Sequence, residues 1–136
     1  MIVATKAIIT DRDNILILRE KAYTQGTNEG KWCLPGGRLH EHESVNDGLM
    51  REVLEECGLT VEPQRPVYVG QWFPIIEGVK THIVGVFFHC VCHGQVKIGD
   101  EHDRYQWVAF NDPLLKQLIE PENTAVQTFI KEQKFS

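Results

Sequence analysis

At 136 residues and 42% hydrophobic content, the chain is long enough for one globular domain spanning 1–136 with a real core, and too short for two. A formal net charge of −5 argues against a nucleic-acid polymer as partner, since a basic face is the usual footprint. There is no run of about 18 apolar residues and no signal pattern, so the expectation is a soluble, cytoplasmic protein with no membrane partner.

In chain order, residues 2–10 (IVATKAIIT) and 15–19 (ILILR) are rich in Ile and Val and are separated by Asp11-Arg12-Asp13-Asn14, which is turn chemistry. They predict a hairpin. Residues 20–31 are polar and contain Gly26 and Gly30, which predicts an exposed loop leading to Trp32. Trp32 to Leu34 is short and apolar and ends abruptly at Pro35-Gly36-Gly37. With no side chain in the way, a carbonyl at Gly37 can approach a metal closely; a tight turn and nothing more is the equally open alternative.

Residues 37–59 read GRLHEHESVNDGLMREVLEECGL. Ser44 fits an N-cap with Asp47 in the first turn, and Gly58 fits the left-handed position past the end, so a helix is expected over 45–57. At about 100° per residue, Leu49, Met50, Val53, Leu54 and Cys57 share one arc and Glu52, Glu55 and Glu56 another. Gly48, one turn earlier, is expected to leave the acidic face uncrowded. Acids at this spacing repel by a few tenths of a kcal/mol per pair, so solvent or a cation must offset them. Hard oxygen donors suit Mg²⁺, with Mn²⁺ as a substitute, whereas a simple solvated face is the plain alternative.

The segment resembles the Nudix box, G-x5-E-x7-R-E-U-x-E-E-x-G-U with U aliphatic. Gly37, Glu43, Arg51, Glu52, Val53, Glu55, Glu56, Gly58 and Leu59 fill its fixed positions, and Leu34-Pro35-Gly36 leads into it. One departure lies in the loop before Glu43. The run there is His40-Glu41-His42, and His42 stands where relatives often have a residue free to take positive φ.

After this segment, Val61 to Pro66 holds two prolines and is expected to be a loop. Residues 67–73 (VYVGQWF) and 81–92 (THIVGVFFHCVC) predict strands, the second central because it is apolar almost throughout. A polar loop over 93–103 leads to a strand over 105–110. Asn111-Asp112-Pro113 predicts a cap and a helix over 113–119, followed by a last helix over 122–132 with Ala125, Val126, Phe129 and Ile130 inward. The cysteines, Cys33, Cys57, Cys90 and Cys92, have no framework spacing and are expected to be free thiols. Cys90-Val91-Cys92-His93 lacks the pairing of a zinc site. The class is α/β, and the resemblance implies the Nudix fold, a mixed β-sheet sandwiched between α-helices.

The resemblance implies hydrolysis of a phosphoanhydride, usually in a nucleoside diphosphate linked to another group. Glu52, Glu55 and Glu56 are the candidate catalytic acids and metal ligands, with the Gly37 carbonyl and Glu101 as further metal candidates. Glu101 lies in an acidic run that reads equally well as an exposed loop. The resemblance also makes Glu43 and Arg51 an ion pair that supports the site. Trp32, Tyr68, Trp72 and Phe73 are aromatic candidates for stacking on a base, although core packing is expected for at least two of them. His40, His42 and His102 are expected to be solvent histidines.

Pro74, fifteen residues beyond the box, stands at a spacing that resembles the ADP-ribose pyrophosphatases, while the compact length looks more like small nucleoside-triphosphate pyrophosphohydrolases. The leading expectation is a small nucleotide substrate, most simply a nucleoside triphosphate. ADP-ribose or a nucleotide sugar is the alternative. A nucleotide sensor without catalysis and an interaction domain with an acidic surface helix are readings from other classes. Many relatives are dimers, which leaves a homodimer open.

Overall fold

The computed structural model describes residues 1–21 and 30–134; most of the loop expected over 20–31 lies outside the described residues. The strands are β1 (Ile2–Asp11), β2 (Asn14–Glu20), β3 (Trp32–Cys33), β4 (Gly36–Arg38), β5 (Thr60–Trp72), β6 (Ile75–Ile76), β7 (Val79–Lys80), β8 (Ile83–His93) and β9 (His102–Ala109). The helices are α1 (Val45–Cys57) and α2 (Glu122–Lys134), with a 3-10 turn over Pro113–Gln117. The expected β1–β2 hairpin forms, closing through Thr10 opposite Ile15.

Beyond that turn the two strands part. β1 runs parallel to β8 from Ile2 to Thr10 and takes β4 on its other side through Ala4 to Lys6. β2 pairs with β3 and β9. The result is a mixed sheet in the order β3-β2-β1-β8-β5, with β8 interior as its apolar sequence predicts. β6 and β7 form a separate two-stranded ribbon.

Alternation along the strands sends neighbouring residues to opposite faces. Ala7, Ile9, Leu16 and Leu18 pack with Leu49, Val53 and Cys57 of α1. Ile8, Ile15, Ile17 and Phe87 pack with Ala125, Val126, Phe129 and Ile130 of α2. The sheet is therefore covered on both faces by helices, as expected. All four cysteines are free thiols.

Several boundaries differ from expectation. Residues 61–66 belong to a continuous β5 rather than to a loop. Pro63 and Pro66 sit at register shifts on the strand that ends the sheet order, where a missing backbone donor costs little. Pro35 and Gly36 do not simply stop a strand, because Gly36 and Gly37 start β4. On α1, Met50 and Leu54 are exposed. The sheet contacts only the narrower stripe of Leu49, Val53 and Cys57, spaced four apart. Gly48 serves packing: a Cβ there would meet Leu39 Cδ2 at 2.3 Å, so the glycine lets the incoming loop lie on the helix. The helix expected over 113–119 is a short 3-10 turn, although Asp112 caps it by accepting from the Leu114 N–H at 2.8 Å.

Candidate active site

The helix that carries the acids is fixed at both ends as its sequence predicts. Ser44 Oγ accepts from the Asp47 N–H, and Gly58 at φ 69° closes the other end. His42 takes φ 65°, the left-handed conformation that a glycine would adopt without strain. The loop it shapes delivers Glu43 to Arg51, whose Nε and Nη2 donate to the two Glu43 oxygens at 2.7 and 2.9 Å.

Arg51 does more than brace that loop. Its Nη1 also donates to Glu52 at 3.1 Å and to Glu55 at 3.3 Å, and Nη2 donates to the Arg38 carbonyl. The guanidinium holds the Glu43 carboxyl far below its usual range, at about 2, chiefly through these hydrogen bonds and with help from the His40 N–H. One cation thus gathers three carboxylates.

Glu56 lies on the other side of this group in a different setting. Its Oε1 accepts from the Gly36 N–H at 2.7 Å, which ties α1 to β4. Burial pushes its carboxyl up to about 7 against the opposing pull of Lys6 and the Gly36 N–H, and Glu52 and Glu101 add repulsion. Gly37 keeps β4 close to the acids: a Cβ there would stand 2.7 Å from the Glu52 carboxyl.

Glu52, Glu55, Glu56 and Glu101 line one cleft of about 340 Å³ with Gly99, Asp100 and His102. The sequence-derived acids are therefore brought together. Among the described residues, no three His, Cys, Asp or Glu side chains are already gathered as a metal-holding group. The donor set nevertheless fits a hard divalent cation. It is all oxygen, it is crowded with like charge, and it includes a desolvated carboxylate whose Oε2 accepts no hydrogen bond among the described residues.

A second cleft of about 280 Å³ adjoins the first through Glu56, Glu101 and His102. On its walls, Lys6 Nζ lies 3.5 Å from Glu122 Oε2 and donates to the Leu34 carbonyl at 3.3 Å, while Glu122 also accepts from the Leu34 N–H. Glu122 is 2% exposed. Burial pushes its carboxyl up against the pull of Lys6; for Lys6 burial acts downward and is outweighed only by Glu122, Cys33 and Glu56 together, so the ammonium stays charged. Trp72 lines this cleft.

The other aromatic candidates lie elsewhere. Trp32 and Tyr68 pack against the α2-side core, and Phe73 stacks on His82 at 4.6 Å with Lys80 over its ring. Neither Trp32 nor Phe73 lines these two clefts.

His102 corrects the expectation of a solvent histidine. It starts β9, is 8% exposed, and places Nε2 at 3.7 Å from Cys33 Sγ and 4.0 Å from Glu56 Oε2. Burial first, and then Lys6, pull its imidazole down to about 4. It is neutral at pH 7. His40 and His42 are exposed, as expected.

The sequence reading missed Lys6, Glu122 and His102. A charge in the middle of the apolar run IVATKAIIT was the one available signal for Lys6. An acid in a helix's first turn is too common to have marked Glu122.

No helix among the described residues is long and apolar enough to cross a membrane. Relatives and known structures share this chain's sequence family and fold. Nucleoside triphosphatase NudI of Klebsiella pneumoniae is 30% identical over 107 residues, covering 71% of this chain and 74% of that protein. The human 8-oxo-dGDP phosphatase NUDT18 is 34% identical over 62 residues, 46% of this chain, which spans only 18% of that longer protein. The crystal structure of a MutT protein from Methanosarcina mazei superposes with a TM-score of 0.83 at 28% identity, covering 98% of this chain and 95% of that one. The solution structure of the Escherichia coli ORF135 protein gives a TM-score of 0.80 at 25% identity, covering 98% and 91%. The family model of the NUDIX domain matches residues 2–129, nearly the whole chain, and on that match the chain belongs to the NUDIX family.

Proposed function

We propose that this chain is a Mg²⁺-dependent pyrophosphohydrolase acting on a small nucleotide, with nucleoside triphosphates as the first substrate class. The observation that carries the reading is the convergence of Glu52, Glu55, Glu56 and Glu101 on one cleft that opens beside a second cleft holding the buried Lys6–Glu122 pair. Family membership and the NudI relatives support the hydrolytic class.

Glu52, Glu55 and Glu56 would hold the cation, with the Gly37 carbonyl and Glu101 as further donors. When bound, it would neutralise phosphate charge and make a bound water acidic. The chain's own groups do the rest. The Gly36 N–H holds Glu56 Oε1, so its other oxygen is left to face the cleft. Arg51 sets the separation of Glu52 and Glu55 and limits their swing. Glu52, one turn from Glu56, is either one of the cation's ligands or the group that takes a proton from water. Lys6, Glu122 and Trp72 offer a donor, an acceptor and an aromatic face to the nucleoside end.

The test is product analysis over nucleoside triphosphates, ADP-ribose, NADH, dinucleoside polyphosphates and nucleotide sugars, with Mg²⁺ and with Mn²⁺. Metal-dependent turnover of triphosphates is the expected result. Turnover confined to ADP-ribose or nucleotide sugars would move the substrate assignment to that class. Nucleotide binding without any turnover would replace the enzyme with a sensor.

A further inference from the structure

Between the two clefts stands one side chain that neither the acidic helix nor the ion pair accounts for. In the β2–β9 ladder, Leu18 faces Tyr105 and Arg19 faces Arg104, but Glu20 faces His102, so Asp103 is an extra residue. Val108 packs in the core on the α2 side and Trp107 against the core on the α1 side. Under strict alternation His102 would share the face of Val108. The extra residue turns it to the α1 side instead, where Cys33 and Glu56 lie. Arg19 pins the bulge with two hydrogen bonds to Asp103, both at 2.9 Å.

The imidazole is aimed inward, and its Nδ1 is buried with no partner among the described residues. A bare ring nitrogen tolerates that better than a buried N–H does, so the proton belongs on Nε2. That N–H has Cys33 Sγ at 3.7 Å as its hydrogen-bond partner and Glu56 Oε2 at 4.0 Å beside it, the oxygen that accepts no hydrogen bond among the described residues. At 4.0 Å the two atoms do not hydrogen-bond, but the partial positive charge of the N–H attracts that oxygen and favours the carboxylate orientation that keeps it toward the acidic cleft, which His102 also lines.

We propose that His102 is a positioning residue for Glu56: the Asp103 bulge, pinned by Arg19, places the imidazole N–H beside the carboxylate on the wall of the acidic cleft and keeps its free oxygen turned toward that cleft. Only the kinetic arm of the test rests on the hydrolytic reading. His102→Phe keeps the ring's bulk and removes the N–H, while His102→Gln restores an N–H near the Nε2 position. The readouts are Mn²⁺ affinity without nucleotide, kcat and KM on the best substrate, and thermal melting.

The expected result for His102→Phe is Mn²⁺ binding weakened about 10-fold and kcat lowered about 10-fold or more, with KM changed less than about threefold. His102→Gln should recover most of both. Asp103→Ala, a change at the surface, should move Mn²⁺ affinity and kcat the same way by about threefold, and it carries the test if His102→Phe does not fold. Equal behaviour of the Phe and Gln variants, or losses that follow melting temperature alone, would overturn the proposal. Parent-like values for Asp103→Ala would overturn the role of the bulge. If the parent turns over no nucleotide, the hydrolytic reading fails while the Mn²⁺ arm still decides the role of His102. A parent that binds no Mn²⁺ overturns both.

Discussion

The two adjoining clefts share Glu56, Glu101 and His102 but differ in how their other acids are held. The first crowds Glu52, Glu55, Glu56 and Glu101 together, with Arg51 holding two of them from the side that faces Glu43. The second pairs one buried acid with one buried base, Glu122 with Lys6. An excess of carboxylate is relieved by a cation; a balanced pair has no such need and instead presents a donor and an acceptor at fixed places. The proposed function uses this contrast, with the metal and phosphates in the first cleft and the nucleoside in the second. Glu55 and Glu56 show the same contrast at neighbouring positions. The Glu55 side chain is 57% exposed and shares Arg51, whereas that of Glu56 is 13% exposed and bonded to backbone.

The largest effect should come from breaking the buried Lys6–Glu122 pair of the second cleft. Lys6→Met leaves Glu122 buried without its cation and is expected to cost about 3 kcal/mol or more in urea unfolding. Lys6→Met combined with Glu122→Gln should recover much of that loss. Equal losses in the single and double variants would mean the pair is not a coupled unit.

A moderate effect concerns the brace beside the acidic cleft, and it depends on pH. Arg51 holds the folded Glu43 pKa at about 2, below its ordinary value of 4.5. A lowered folded pKa gives stability that is full above the ordinary value and fades as pH falls toward about 2. Glu43→Gln should therefore lower the urea midpoint at pH 7 and make little difference near pH 2. A gap between parent and variant that stays constant with pH would break the assignment.

The smallest effect is at the loop that enters the helix. His42 sits at φ 65°, so His42→Gly should raise stability by about 1 kcal/mol at most, with the gain offset in part by the freer unfolded chain. A loss of stability would show that the imidazole makes a contact worth more than the strain.

These two clefts were also unequally legible. The acidic one is written in a single local segment, where helical period and cap chemistry place Glu52, Glu55 and Glu56 together without any knowledge of the fold. Glu43 and Arg51 lie eight residues apart, and their pairing came from the resemblance to the Nudix box rather than from helical period, since Glu43 precedes the helix. The second cleft draws Lys6 from β1, Leu34 from the turn before β4, Trp72 from the end of β5 and Glu122 from the start of α2. Those contacts exist only once β1 has paired with β8 and α2 has crossed the sheet. His102 depended on a bulge opposite Arg19 and Glu20, and one extra residue reverses every inward-outward expectation beyond it. β5 was hidden for a related reason, since two prolines read as a loop until the bulges that admit them are seen.

The most direct test of the acidic cleft is Glu56→Gln, assayed for Mg²⁺-dependent product release on the best substrate alongside its melting temperature. The parent carboxyl is already desolvated, so a neutral amide of the same shape should fold as well as the parent. Turnover is expected to fall by about 100-fold or more while the melting temperature stays within a few degrees. A Glu56→Gln protein that turns over at near the parent rate would contradict the placement of the chemistry in this cleft.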